Sequence, residues 1–270
     1  VQAVSVIGIA MVRDEADVIA GTLRHMADEV DHLVILDNGS TDGTRDILDD
    51  LCGELPLTVR DDPEVGYYQS RKMSELAARV AAADRDPDGT WIVPFDADEL
   101  WYGPRRIADL LTDTDATVAT AALYNHLATA IDGDDPDPFR SMVWRQREPG
   151  PLPKVAFRWQ PGAVIHQGNH GVTMPVAIAK PLLEIRHFPA RSAAQFTRKG
   201  MNGALAYAAT DLPETEGAHW RGYGRLVEAH GPGVLGDVFR QHWWYLSPVD
   251  AGLIHDPAPY LRWRTDADGN

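Results

Sequence analysis

The chain has a single cysteine, Cys52, in 270 residues. One thiol excludes an internal disulfide and any zinc site built on paired cysteines. It also fits a reducing compartment, so a cytoplasmic location is expected. Long hydrophobic runs are missing: no stretch approaches the roughly 18 to 20 apolar residues that a membrane helix needs. The apolar start, VQAVSVIGIAMV, has no basic leader before it and reads as a strand, not a signal peptide. Positive charge is scarce, with 25 Lys and Arg against 40 Asp and Glu and a formal net charge of -15. Such a surface repels phosphate backbones, which argues against nucleic acid as a partner and leaves open a phosphate ligand held through a metal ion. Glycine-rich phosphate loops are absent as well. Neither G-x-x-x-x-G-K-[ST] nor G-x-G-x-x-G occurs.

What is present is alternation. AVSVIGIAMV, HLVILDN, LPLTVRDD, TWIVPFDAD and ATVATAALYNH read as strands, because they are apolar and β-branched. Between them lie amphipathic helical patterns. Ile19, Leu23, Met26 and Val30 share one face, and Met73, Leu76, Ala77 and Val80 another. Ser40 or Thr41 is placed to cap the second helix, and Pro104 to open the one at PRRIADLL. The pattern predicts an α/β fold with a mostly parallel central sheet and helices on both faces. After about residue 127 the alternation breaks into a Pro/Asp loop, then the short β-like runs SMVWRQ, KVAFRW, AVIHQ and PLLEIRHF, then a helical tail. The expected organisation is one domain, 1–270, divided into an alternating half (1–125), a β region (126–190) and a helical C-terminal part (191–270).

Acids cluster at the strand exits. RDE follows the first strand, DNGSTD the second, and DADE the fourth. Ligands of open α/β sheets bind outside the carboxyl ends of the strands, so the clusters stand where a ligand would. Asp96, Asp98 and Glu99 could hold a hard cation, since Mg²⁺ and Mn²⁺ take oxygen ligands and often combine one or two carboxylates with phosphate and water. A solvated strand tip explains a lone D-x-D equally well. Asp37 at the end of a buried strand could accept from a ribose hydroxyl or a base N–H, or could simply hold a βα turn.

MVRDEADVI, VILDNGSTDGT and WIVPFDADEL, in that order, resemble the family 2 glycosyltransferases with a GT-A fold over roughly residues 4–125. The resemblance implies transfer of a sugar from a nucleotide-diphosphate donor (UDP-, GDP- or dTDP-linked) to an acceptor hydroxyl of unknown identity, with inversion and with Mn²⁺ or Mg²⁺ as cofactor. Carried over residue by residue, Glu15 and Asp37 hold base and ribose, with Arg13 and Asn38 beside them. Asp96 faces the donor, and Asp98 ligates the metal. The family often carries Asp where this chain has Asn38. Arg71, at the start of the third helix, matches a basic residue that similar enzymes place near the diphosphate; Arg71 and its neighbour Lys72 could also be solvent-facing cations. His187 ends a strand and precedes a helix carrying Arg198 and Lys199, which looks like the late histidine that such enzymes use as a further metal ligand.

The remaining histidines and acids leave the general base open among Glu184, Asp135, Glu99 and His170. His166 and His170 have the spacing of a zinc helix, but Gly168 and Gly171 oppose a helix and the H-E-x-x-H glutamate is missing. Trp144, Trp159, Trp220, Trp243, Trp244 and Trp263 could stack on a sugar acceptor or fill the core. HWWYL at helical spacing reads as core. A nucleotidyltransferase is the first rival, although MVRDEADV has no glycine-rich triphosphate loop. A non-catalytic sugar-binding module and a metal hydrolase are the others.

Overall fold

The computed structural model describes residues 4–257, so Trp263 lies outside the described residues. The first half runs β1 (Val6–Val12), α1 (Ile19–Glu29), β2 (His32–Asp37), α2 (Thr44–Leu51), β3 (Leu57–Asp61), α3 (Gln69–Ala83), β4 (Trp91–Pro94), β5 (Glu99–Tyr102), α4 (Ile107–Thr112) and β6 (Val118–Asn125). The second half contributes β7 (Ala128–Thr129), α5 (Pro138–Ser141), β8 (Trp144–Arg145), β9 (Lys154–Arg158), β10 (Val164–Ile165), β11 (Val172–Thr173) and β12 (Ala179–His187). It closes with α6 (Ala193–Ala208), α7 (Ala218–His230), α8 (Val234–His242), β13 (Trp244–Tyr245) and β14 (Ile254–His255).

Eight strands form one sheet in the order β3-β2-β1-β4-β9-β6-β12-β5. β1 to β4 are mutually parallel, and β6 is parallel to β12; β9 and β5 run against their neighbours. Alternate side chains sort to opposite faces, as the period of two demands. Leu33, Ile35, Trp91 and Val93 pack with Ile19, Leu23 and Met26 of α1, Leu48 of α2 and Ile107 of α4. Val34, Leu36 and Ile92 pack with Met73, Leu76 and Ala77 of α3 on the other side. Helices therefore cover both faces, as the alternation requires. A third cluster, Leu100, Tyr102, Phe139, Phe188, Phe196, Leu235 and Phe239, seats α6 and α8 against the β5 end of the structure.

Several details differ from the sequence reading. Two of the strands after residue 127, β9 and β12, insert into the main sheet. A short strand, β5, follows directly on the D-x-D turn. Pro104 lies ahead of α4, whose first residue is Ile107. Ser40 and Thr41 do not cap α2. They face the loop after β1, where Ser40 Oγ accepts from the Asp14 N–H and the Thr41 N–H donates to Asp14 Oδ1. Asp42 takes the Thr44 N–H instead. Lys72 is buried, not solvent-facing, and its ammonium bonds Asp62. HWWYL is not a core helix: α8 stops at His242, Trp243 follows as its cap, and Trp244 is exposed in a two-residue strand.

One buried contact predicts a pH effect. His25 on α1 is 6 % exposed, with Nε2 2.7 Å from the Trp101 carbonyl. Burial lowers its pKa from 6.5 to about 4, against the pull of that hydrogen bond. The folded pKa lies below the unfolded one, so the unfolded chain binds the additional proton. The contribution is fully present above about pH 6.5 and is lost as the pH falls toward 4, a difference of about 3 kcal/mol at most. Buried His126 acts in the same direction. In melting curves across this window, His25→Gln is expected to flatten the fall in midpoint. An unchanged slope would show that His25 does not set it.

Candidate active site

Parallel register brings the exits together. Val12 of β1 stands opposite Asp37 of β2, which stands opposite Asp61 of β3. Pro94 of β4 pairs with Ile9, so Asp96 and Asp98 leave the sheet beside the exit of β1. Antiparallel β9 delivers its first residue, Lys154, to the same edge. The last residue of β12, His187, lies between Glu99 of β5 and Asn125 of β6. The exits of β1, β2, β4, β6 and β12 and the start of β9 open into a cavity of about 510 Å³, closed on its far side by α6, α7 and the end of α8.

The floor of the cavity is charged. Lys199 Nζ, from α6, lies 2.5 Å from Asp98 Oδ2 and 3.1 Å from Glu15 Oε1. Lys154 Nζ lies 2.6 Å from Asp96 Oδ2 and 2.9 Å from Glu99 Oε1. Buried Arg191 donates to Glu15, Asp17 and the Phe188 carbonyl, and its Nη1 is 3.6 Å from Asp98. Each ammonium thus bridges two carboxylates and keeps a third N–H to offer a ligand. Burial would raise the Asp98 carboxyl, but the charges of Lys199 and Arg191 outweigh it and hold the group well below the usual carboxylate range. Burial would lower Lys199, yet Asp98 and Glu15 keep it charged.

His187 has a defined tautomer. Asn125 Nδ2 donates to Gln146, so its Oδ1 accepts from His187 Nδ1–H at 2.7 Å. Burial lowers the His187 pKa to about 4, so the ring is neutral near pH 7. Its Nε2 lone pair then faces Asp98 Oδ1 at 3.7 Å. Two acceptors set face to face with no proton between them suit a divalent cation. Among the described residues no group of three or more His, Cys, Asp or Glu is placed to hold a metal. The protein could therefore supply two ligands, with diphosphate and water as the remainder, a division common for Mg²⁺.

The other expected site residues divide. Arg13, Glu15, Asn38, Asp96, Asp98, His170 and His187 line the cavity. Asp37 does not; its Oδ1 holds the Ser40 N–H, the turn role. Asn38 is tied down as well, donating to Asp62 and to the Glu64 carbonyl. Arg71 is exposed, pairs with Glu64 and Glu75, and lines a separate depression beside Asp62. Glu184 is partly exposed, pairs with Arg186 and is outside the cavity lining. Asp135 is exposed and accepts the Asp137 N–H. Glu99 is fully buried behind Asp96, bonded to Trp101 Nε1 and the Asp96 N–H. Burial, with the charges of Asp96 and Asp98, raises its pKa to about 7 against the pull of Lys154. His166 and His170 flank a one-turn 3-10 segment rather than a helix, and His166 bonds Thr173. His170 Nδ1 sits 3.0 Å from the Pro153 carbonyl and so carries the proton, which leaves Nε2 as the basic atom.

Sequence reasoning missed Lys154, Arg191, Asn125 and Asn169, whose side-chain amide holds Asp96 Oδ1 at 3.0 Å. Lys199 was visible only as one of two cations on a helix. No local motif marks these residues, because each reaches the edge through a strand order or a helix return that spacing does not encode.

The chain matches the sequence profile of glycosyl transferase family 2 over residues 8–169. No curated protein sequence matches it. Among solved structures, S. aureus TarS 1–349 in complex with UDP aligns at 12% identity and a TM-score of 0.38, over 88% of this chain and 75% of that one. The same protein in complex with UDP-GlcNAc gives 12%, 0.37, 88% and 76%. Likeness at this level bears on neither substrate nor mechanism. The profile, which spans more than half of the chain and includes all three acidic strand exits, shows that the chain belongs to glycosyl transferase family 2 and is a glycosyltransferase that uses a nucleotide-sugar.

Proposed function

We propose that the chain moves a sugar from a UDP-, GDP- or dTDP-linked donor to an acceptor hydroxyl, with inversion and with Mn²⁺ or Mg²⁺ at Asp98 and His187. The observation that carries this reading is the meeting of Asp98, His187 and Lys199 on one cavity at the strand exits. A bound divalent cation there would neutralise charge on the leaving diphosphate. The chain's own part is to place charge. Lys199 and Arg13 face the position of the diphosphate, while Asp96, clamped by Lys154 and Asn169, orients the donor. The acceptor oxygen attacks the anomeric carbon and forms the new C–O bond. The bond from that carbon to the diphosphate oxygen breaks, and its electron pair leaves with the nucleoside diphosphate. The acceptor proton passes to His170 Nε2, the basic atom that the cavity retains. Burial and the charge of Lys154 lower the His170 pKa, so the ring is neutral and ready to accept. Glu99, behind Asp96, acts as a positioning residue. Arg71, Asp37 and Glu184 play no direct part in this scheme.

No described helix is long and apolar enough to cross a membrane. With one free, exposed cysteine, a cytoplasmic site of action is part of the proposal. Thermal melts with UDP, GDP, dTDP and CDP, each with Mn²⁺, test the donor. One base is expected to stabilise the protein by about 3 kcal/mol at a hundred times its Kd. No stabilisation by any of the four would count against the whole scheme.

A further inference from the structure

The cavity has two unlike halves. All of its charged lining residues lie on the exits of β1 and β4, at the start of β9 or at Lys199. The wall from α6, α7 and the end of α8 is aromatic. Phe196 packs edge-on to Tyr223, with centroids 5.5 Å apart, and lies 6.3 Å from Trp243. Trp220 meets Tyr223 at 5.9 Å. Trp220 also lies directly on the α6 backbone at Gly203, where a Cβ would stand 2.4 Å from Trp220 Cε3. The rings are therefore held by one another and by a missing side chain, so the wall is preformed. Phe196, Lys199 and Gly203 follow one another on one face of α6, at i, i+3 and i+7. The aromatic wall thus begins one turn from the ammonium that holds Asp98.

We infer that this wall is the acceptor subsite and that the acceptor is a planar, largely apolar molecule carrying a hydroxyl, such as a fused or substituted arene, rather than a carbohydrate. The inference rests on the transferase reading above. A sugar acceptor brings several hydroxyls that need partners once buried. The amides nearby are engaged: Asn202 holds Asp14, and Asn125 is shared between His187 and Gln146. His219, Tyr223, the Tyr67 hydroxyl and the indole N–H groups of Trp220 and Trp243 have no hydrogen-bond partner among the described residues, so polar contacts are open at the edges of the rings, while the ring faces offer none. A flat apolar molecule meets the faces of Phe196, Trp220 and Trp243, where no hydrogen-bonding atom points.

The test uses the full chain with UDP and Mn²⁺, titrated with 2-naphthol and, separately, with methyl glucoside and cellobiose, read by tryptophan fluorescence and calorimetry. Naphthol is expected to bind more tightly than either sugar. In Trp220→Ala its Kd should rise about tenfold, the size of one lost aromatic contact, while the UDP-induced thermal shift stays unchanged and reports an intact fold. Gly203→Ala, which keeps every ring and displaces Trp220, should weaken naphthol in the same direction. Tighter binding of either sugar, or naphthol binding indifferent to both substitutions, would overturn the inference. Failure of every nucleoside diphosphate to stabilise the parent protein would overturn the donor reading on which the acceptor role rests, and the UDP arm reports that separately from the naphthol arm.

Discussion

Asp98→Asn is expected to lower turnover by about a hundred- to a thousandfold, the size of effect seen when a group stabilising developing charge is removed. The side chain keeps its shape and loses only its charge. In the parent, Asp98 is the point where Lys199, Arg191 and the His187 lone pair converge. Without its charge, Lys199 keeps only Glu15, and the Nε2 lone pair of His187 faces an amide oxygen or N–H in place of a carboxylate. The leaving diphosphate then meets a less ordered set of cations. Mn²⁺ affinity, followed by electron paramagnetic resonance in the presence of UDP, should fall with turnover, because Asp98 is the one charged ligand in the proposed pair. Lys199→Met provides the contrast: it removes a cation and leaves both ligands, so turnover should fall while Mn²⁺ binding is kept. Turnover of Asp98→Asn within about tenfold of the parent, with its metal requirement intact, would remove Asp98 from the mechanism.

The parallel half of this site is legible in the sequence for a physical reason. β1, β2 and β4 are buried on both faces and read as unbroken apolar runs, so the first polar residue of each marks the sheet edge. RDE, DNGSTD and DADE fall at those exits, and Glu15, Asp96 and Asp98 line the cavity. A strand exit does not by itself put an acid on the cavity wall. Asp37 ends β2, but it is outside the cavity lining and its Oδ1 accepts the Ser40 N–H. Lys154 shows the complementary limit. KVAFRW announces a strand, yet nothing in it says that the strand runs antiparallel between β4 and β6, and only that placement brings the ammonium to Asp96. Arg191 and Lys199 come from a segment whose return across the sheet edge is set by the third core cluster, with Phe188, Phe196 and Leu235 inside it. Hydrophobic packing of remote residues thus decides which cations meet the acids.

Arg191 is where that packing has its largest predicted consequence for stability. Its side chain is 2 % exposed and holds Glu15, Asp17 and the Phe188 carbonyl together. Burial would lower its pKa, but the charges of Glu15 and Asp17 keep the guanidinium protonated. Arg191→Met preserves much of the length and removes every donor. Glu15 is then buried against Lys199 alone, Asp17 loses its partner, and a carbonyl is left open beside them. Removing one partner of a buried ion network costs about 3 to 5 kcal/mol, because the charge left behind is uncompensated. For a chain of this length the melting midpoint is expected to fall by about 10 °C. Arg191→Lys restores the charge but not the fork, which reaches Glu15 and Asp17 together, so it should recover only part of the loss. Glu15→Gln in the Arg191→Met background removes one stranded charge and should raise the midpoint again. Melting midpoints that were additive across this double-mutant cycle would show that the two side chains do not act as a pair, and the edge of β1 would then owe its order to Asp14, held by Thr41 and Asn202, instead.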